Sequence, residues 1–347
     1  MSYVPEHRPV TYYQETLLSA QRELPAQILV DVSYVFTKGT HLGFERDINQ
    51  VPASKLSPSG TWYSSESPYP LFNSIAGSLY DGYSNYNAFQ LRVEKRLSHG
   101  LSFVFNYALS KTMDSGTGSG NDTAVDVWQN AYNVSANYGL STLDVKNTIN
   151  GSATYELPFG HGKSFGLHGI ADEALGGWRA TGVFQIHSGI PFTPNTSNDG
   201  QDLSGSGANQ CGCGYEWLPN VVGVPTYAHP KNFNPNVDQW YSYTPFVTPA
   251  NGTFGDERRN LLIGPNWRNL DLSLAKTFRL IHGVNLEIRG DANNAFNHPN
   301  FGQPATSTGT GVTYNLPTID GVPEAPPTQI TSASGARLIQ LGGRFTF

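Results

Sequence analysis

Apolar and polar side chains alternate with a period of two through nine segments of the chain: residues 12–23, 28–37, 86–97, 101–112, 146–157, 178–189, 268–278, 284–296 and 337–347. That period belongs to strands. In residues 86–97, Phe89, Leu91 and Val93 oppose Gln90, Arg92, Glu94 and Arg96, and in residues 101–112, Leu101, Phe103, Phe105, Tyr107 and Leu109 share one side. Further on, Leu270, Leu272 and Leu274 turn away from Asp271 and Ser273, while Val284, Leu286 and Ile288 turn away from Asn285, Glu287, Arg289 and Asp291. Residues 28–37, 146–157 and 178–189 keep the rule with smaller side chains, and residues 12–23 keep it least clearly. The last segment sets Ile339, Leu341, Gly343, Phe345 and Phe347 against Leu338, Gln340, Gly342, Arg344 and Thr346. Segments of about ten to thirteen residues exceed the usual globular strand and suit a tilted bilayer crossing.

The connections alternate in length. Residues 24–26, 98–100 and 280–283 make tight turns and residues 158–177 an intermediate one, whereas residues 38–85, 113–145, 190–267 and 297–336 are long. Soluble domains seldom carry connections above about 15 residues, but outer-membrane barrels pair short periplasmic turns with long extracellular loops. With Phe347 at the periplasmic rim, every tight turn falls on that side and every long loop outside. The apolar parity then carries two aromatic rings, Phe347, Phe278 and Trp178 near the periplasmic rim and Phe36, Phe89 and Phe296 near the outer one, as interfacial girdles require. Lys95 and Lys276 interrupt the same parity close to the periplasmic ends, where a long stem carries its charge to the headgroups. The expected fold is all-β: an antiparallel up-and-down transmembrane β-barrel segment of about nine long strands. Such a count is odd, so the barrel is expected to be incomplete, with open edges.

Composition sharpens this picture. Charged residues make up 14% of the chain, against about 25% in soluble domains. The net charge is −6 and the Lys and Arg are scattered, so a nucleic-acid footprint is absent. No apolar run approaches the roughly 18 residues of a spanning helix, which leaves strands to cross any membrane. The opening MSYVPEHRPVTYY has neither a basic start with an apolar run nor a small-residue cleavage site, and an exported barrel without an export signal is expected to be an incomplete chain.

Catalytic spacings are missing: there is no His-Glu-x-x-His, no Gly-x-Ser-x-Gly and no Gly-x-x-x-x-Gly-Lys-Ser/Thr. The expectation is therefore a non-enzyme with no catalytic, metal-binding or cofactor-binding residue. Cys211 and Cys213 read as a loop staple or as nothing functional, with a metal-chelating pair as the alternative, and Asp199 and Asp202 do not match a calcium loop. The Gly-rich runs 115–120 and 308–311 read as loop tips. Two sets of residues bear on function. Arg92, Glu94, Arg96, Glu287, Arg289 and Asp291 lie on the polar parity, where they either meet an internal plug or pair across strands. Tyr215, Trp217, Trp240, Tyr241 and Tyr243, in the longest loop, either stack on a ligand or pack the loop onto itself.

The segments VSYVFTKGTHL (32–42), YNAFQLRVEKRLSHGLSF (86–103), YALSKTMD (107–114), YELPFGHGKSF (155–165), GGWRATGVFQIHSGIPFTP (176–194) and NAFNHPNFGQP (294–304) resemble, in this order, the C-terminal barrel portion of Oar-like TonB-dependent outer-membrane receptors. The resemblance implies a barrel of 22 strands occluded by an N-terminal plug and energised through TonB, so that residues 1–347 would be a partial barrel domain lacking plug and signal peptide. It implies a bulky imported solute, whether siderophore, oligosaccharide or peptide. The implied partners are outer-membrane lipid, the barrel-assembly machinery and, in a full receptor, the plug and TonB. Gly342, Phe345 and Phe347 match the terminal pattern which that machinery reads. The competing expectations are a passive porin or surface adhesin, and a soluble secreted β-sandwich that binds carbohydrate.

Overall fold

The computed structural model describes residues 1–116, 129–194, 204–207, 217–227, 233–234, 238–280, 284–304, 318–319, 322–323, 328–330 and 332–347. Nine long strands follow one another along the chain: β1 (Tyr12–Leu24), β2 (Ile28–Asp47), β3 (Ala76–Ser98), β4 (Leu101–Asp114), β5 (Asn147–Glu156), β6 (Trp178–His187), β7 (Trp267–Arg279), β8 (Asn285–Asn293) and β9 (Leu338–Thr346). Each pairs antiparallel with its sequence neighbours, in the order β9-β8-β7-β6-β5-β4-β3-β2-β1, so the sheet is an up-and-down meander. Among the described residues no ladder joins β1 to β9, and the barrel does not close.

The registers turn the period-two pattern into two chemically distinct faces. One rung runs Gln21, Asp31, Arg92, Asn106, Asn150, Gln185, Asn269 across seven strands, polar at every position. A second polar rung crosses β4 to β9 through Ser102, Thr154, Thr181, Ser273, Asp291 and Gln340. On the opposite face lie rungs such as Val30, Val93, Phe105, Gly151, Phe184, Leu270 and Leu101, Tyr155, Ala180, Leu274, Gly290, Leu341. Phe105 and Phe184 come within ring distance, 6.3 Å, over Gly151, where any Cβ would meet the Phe184 ring and the Val104 carbonyl. Leu272, Leu274, Ile288, Ile339, Leu341 and Phe345 on this face are all exposed. A soluble protein does not leave so continuous an apolar face uncovered.

The tight turns lie at one end of the sheet. Ser98 pairs with Leu101 around His99 and Gly100, both at positive φ (54° and 80°), which is the two-residue type I′ geometry that matches strand twist. The intermediate connection contains an unanticipated helix, α1 (Ile170–Leu175). It corrects the reading of Lys276. Instead of reaching the headgroups, Lys276 is 3% exposed, and its Nζ donates to the Glu173 and Gly176 carbonyls at the end of α1, the latter at 2.7 Å. The rings of Trp178 and Phe278 lie 5.7 and 5.0 Å from the ammonium. Lys95 likewise donates to the Ala26 carbonyl at 2.7 Å and to Ser98 Oγ at 2.5 Å, in the turns beside it. Carbonyls near α1 take the place of headgroups for Lys276, while one carbonyl and one hydroxyl of the neighbouring turns bind the half-buried Lys95.

A second correction concerns β2 and β3, which extend well past residues 37 and 86. The loop between them shrinks to residues 48–75. Register shifts at Thr40/Leu42 and Leu42/Phe44 break the alternation, with His41 at φ 57°. Gly82 leaves room for the Phe44 ring, which a Cβ there would overlap at 1.8 Å. β-Bulges of this kind hide a strand from a period-two pattern.

Candidate functional site: a polar face and a canopy of outer connections

Long connections all emerge at the end of the sheet opposite the tight turns, and they are tied to one another by buried polar contacts. Gln50, 0% exposed, donates from Nε2 to the Gln129 carbonyl (2.7 Å) and Ser206 Oγ (3.1 Å), and its Oε1 accepts from Ala131 N (2.6 Å). Arg46 donates to the Ala131 carbonyl and to the Asp81 carboxylate at 2.7 and 2.5 Å. Arg259 donates to the carbonyls of Asn137 and Asp114 and forms a buried ion pair with the Asp114 carboxylate. Asn260 links the carbonyl of Leu140 to the hydroxyl of Thr193. Side-chain amides and guanidinium groups serve here because loop backbone has no ladder of its own to satisfy its carbonyls.

A small apolar core of Phe192, Tyr241, Phe246 and Leu262 lies beneath, with Val221 and Trp240 against it. Of the expected loop aromatics, Tyr241 is fully buried, Trp217 is 9% exposed, and Trp240 donates its indole N–H to the Ile263 carbonyl at 2.9 Å. Tyr243 is half-buried. Tyr215 lies outside the described residues, as do Cys211, Cys213, Asp199, Asp202 and the run 308–311. Burial pushes the Tyr132 phenol up to about 12, aided by the Asp47 and Tyr69 charges; its hydroxyl donates to the carbonyls of Ile48 and Gln50. The carboxyls of Asp47 and Asp144 are raised by burial, against the pull of the backbone N–H groups they accept from, Ile75 and Asn49 for the first and Thr112 for the second. Nothing in residue pattern announced this canopy, because its partners are separated by 79 residues or more of sequence in the Gln50 and Arg259 contacts.

On the polar face of the sheet, the six expected charges stand together by parity, and most are paired. Arg92 bonds Glu94 at 2.8 Å, Arg289 bonds Asp291 at 2.7 Å, and Arg179, which sequence patterning did not single out, bonds Glu287 at 3.2 Å. Arg96 is exposed near the turn after β3. These pairs are at the surface of the sheet, where each contributes at most about 1 kcal/mol. Between them, Asp31, Gln90, Arg92, Asn106 and Asn150 line a groove of about 370 Å³. Gly342, Phe345 and Phe347 lie at the far edge, Gly342 on the polar face and the two rings on the apolar one, 57% and 97% exposed.

Comparison with known proteins agrees with the wall geometry. A family model described as an outer membrane beta barrel domain matches residues 1–340. Among curated proteins none matches the sequence. Among solved structures, the pyoverdine outer membrane receptor FpvA of Pseudomonas aeruginosa overlays with a TM-score of 0.44 at 9% identity, over 97% of this chain and 30% of that one. The outer membrane transporter YddB of Escherichia coli overlays at 0.43 and 10% identity, over 99% and 33%. The chain thus spans about a third of the length of these structures, and the overlap is too loose to carry an argument of its own. An exposed apolar face opposite unbroken polar rungs, a meander of long strands, connections that are long at one end only, and a family match over nearly the whole sequence lead to one conclusion: this chain belongs to the outer membrane β-barrel domain family, and its place is the Gram-negative outer membrane.

Proposed function

We propose that the chain is part of the wall and the outer loops of a TonB-dependent, Oar-like outer-membrane receptor that imports a bulky solute, whether siderophore, oligosaccharide or peptide. The observation that carries this reading is the sheet with two chemistries and two open edges. Every residue of β1 and of β9 is exposed, and among the described residues each of these two strands has a neighbour on one side only. In lipid an unpaired strand edge leaves N–H and C=O groups without water, at a cost of several kcal/mol each, so the working barrel is completed by further strands. The charges at Arg92, Glu94, Arg96, Glu287, Arg289 and Asp291 then line a lumen wide enough to need a plug, and this plug is the element that TonB would pull. Gly342, Phe345 and Phe347 serve as the signal read by the assembly machinery. Loop aromatics with accessible surface, Tyr243 foremost, remain available to an incoming ligand, whereas Trp217, Trp240 and Tyr241 chiefly hold the canopy together.

Uptake measurements separate this reading from a passive porin or an adhesin. In cells making the gene product, solute accumulation is expected to stop on adding a protonophore or deleting the TonB system. Entry that persists unchanged without that energy would identify a passive pore.

A further inference from the structure

A cavity of about 280 Å³ opens in the canopy between two segments far apart in sequence, residues 129–137 after β4 and residues 254–258 before β7. Its floor is buried, with Asn137 5%, Leu218 3% and Glu257 4% exposed, whereas Asn133 and Asp256 at the mouth are open to solvent. Gln129 braces the two walls, donating from Nε2 to the Gly255 carbonyl at 2.7 Å and accepting from Leu218 N at 3.4 Å.

One wall presents donors. Asn130 Oδ1 accepts from Tyr132 N at 3.0 Å, and Asn133 Oδ1 accepts from Ala136 N at 3.2 Å and Ser135 Oγ at 2.8 Å, which leaves the two Nδ2 amides for a ligand. Asn137 Nδ2 is buried and has no hydrogen-bond partner among the described residues, a state that a native structure normally relieves with a bound group. The facing wall carries the carboxylate of Asp256, with Glu257 buried behind it, the guanidinium of Arg258, and one apolar side chain, Phe254. Asp256 is held in place by Val221 N, which donates to its Oδ1 at 2.8 Å.

This division of labour selects among ligands. A phosphate or another anion would meet two carboxylates against the single guanidinium of Arg258. A metal cation would find two carboxylates but not the further oxygens it needs, since the carbonyl oxygens of Asn130 and Asn133 are already turned to backbone and hydroxyl donors. A neutral sugar suits both walls, because each hydroxyl accepts from an amide and donates to a carboxylate, while the C–H face of the ring packs on an aromatic side chain. The space is several times the roughly 30 Å³ share of one water. We propose that this cavity is a subsite for one neutral sugar ring at the end of a longer glycan, a substrate class for the receptor proposed above, on whose transport role its physiological meaning rests.

The test is binding by the full chain in outer-membrane vesicles, using a panel of neutral trisaccharides of glucose, mannose, galactose and xylose, with inorganic phosphate and a ferric hydroxamate chelate as competitors. Saturable binding of a trisaccharide is expected, weakened about tenfold in Asp256→Ala and about fivefold in Phe254→Ala, and not displaced by either competitor. Both variants alter partly exposed loop positions, and an unchanged heat-dependent gel shift verifies that they assemble. Absence of binding across the panel, binding indifferent to both variants, or displacement by the chelate would overturn the subsite. Saccharide binding without energised uptake would uphold the subsite and remove the transport reading; energised uptake of the chelate with no saccharide binding would do the reverse.

Discussion

Lys276 lies on the apolar side of β7 with its ammonium spent on two carbonyls at the end of α1. Replacing it by methionine keeps the packing against Trp178 and Phe278 but strands those carbonyls, so Lys276→Met is expected to destabilise the 158–177 connection by about 1–3 kcal/mol. Faster amide exchange within Ile170–Leu175, with the strands unaffected, is the readout. Arg259 makes the larger test. Its removal leaves the Asp114 carboxylate buried without its cation, and Arg259→Leu is expected to cost about 3–5 kcal/mol, seen as a lower urea midpoint for the canopy's tryptophan fluorescence. Asp47 governs a pH response. Its carboxyl is raised by burial, so the folded loops hold that proton more tightly than the unfolded chain does. Stability from this group is therefore greatest below the ordinary aspartate range and declines as pH rises through the raised value. Canopy melting followed upward from about pH 4 should show that decline, and Asp47→Asn should flatten it. At this scale the sequence was a partial guide: the parity of Arg92 and Asp291 was legible, whereas the carbonyl and carboxylate partners of Lys276 and Arg259 and the Ile75 N–H that Asp47 accepts were not, since each is brought in from elsewhere in the chain.

Strand interiors were legible because side-chain periodicity is local. Leu101, Phe103 and Phe105 need only their neighbours in sequence to declare a face, and β4 to β9 begin and end within a few residues of the expected limits. β2 and β3 were cut short because bulges between Thr40 and Phe44 put two residues opposite one, and small residues such as Gly39, Gly43 and Gly82 carry no apolar signal. Gly82→Val drives two methyl groups into the Phe44 ring. It is expected to separate the outer ends of these strands at about 1–3 kcal/mol, and protease added to intact cells should then cleave near residue 82 faster than in the parent. Helix α1 escaped notice for a different reason. Six residues between glycines at 169 and 176 are too few for a 3.6-residue period to register, and the turn is held by Lys276 from another strand.

For the whole molecule the decisive property is the sidedness of the sheet. Leu341 is 82% exposed on the apolar face, in the rung with Gly290 and Leu274. A positive charge there would face hydrocarbon, so Leu341→Arg is expected to cost about 2–4 kcal/mol and to reduce the heat-modifiable, membrane-inserted fraction, whereas Gln340→Arg on the polar face should leave it nearly unchanged. What the sequence determined alone was the alternation, and with it the two faces, the meander and the placement of long connections at one end, because each follows from contacts or spacings within a few residues. What only the tertiary structure decided was how those connections fold over one another, which charges pair, and which polar groups come to surround the cavity beside Asn137. The canopy contacts join residues tens to more than a hundred positions apart, and no local period records a meeting that the folded wall alone makes possible.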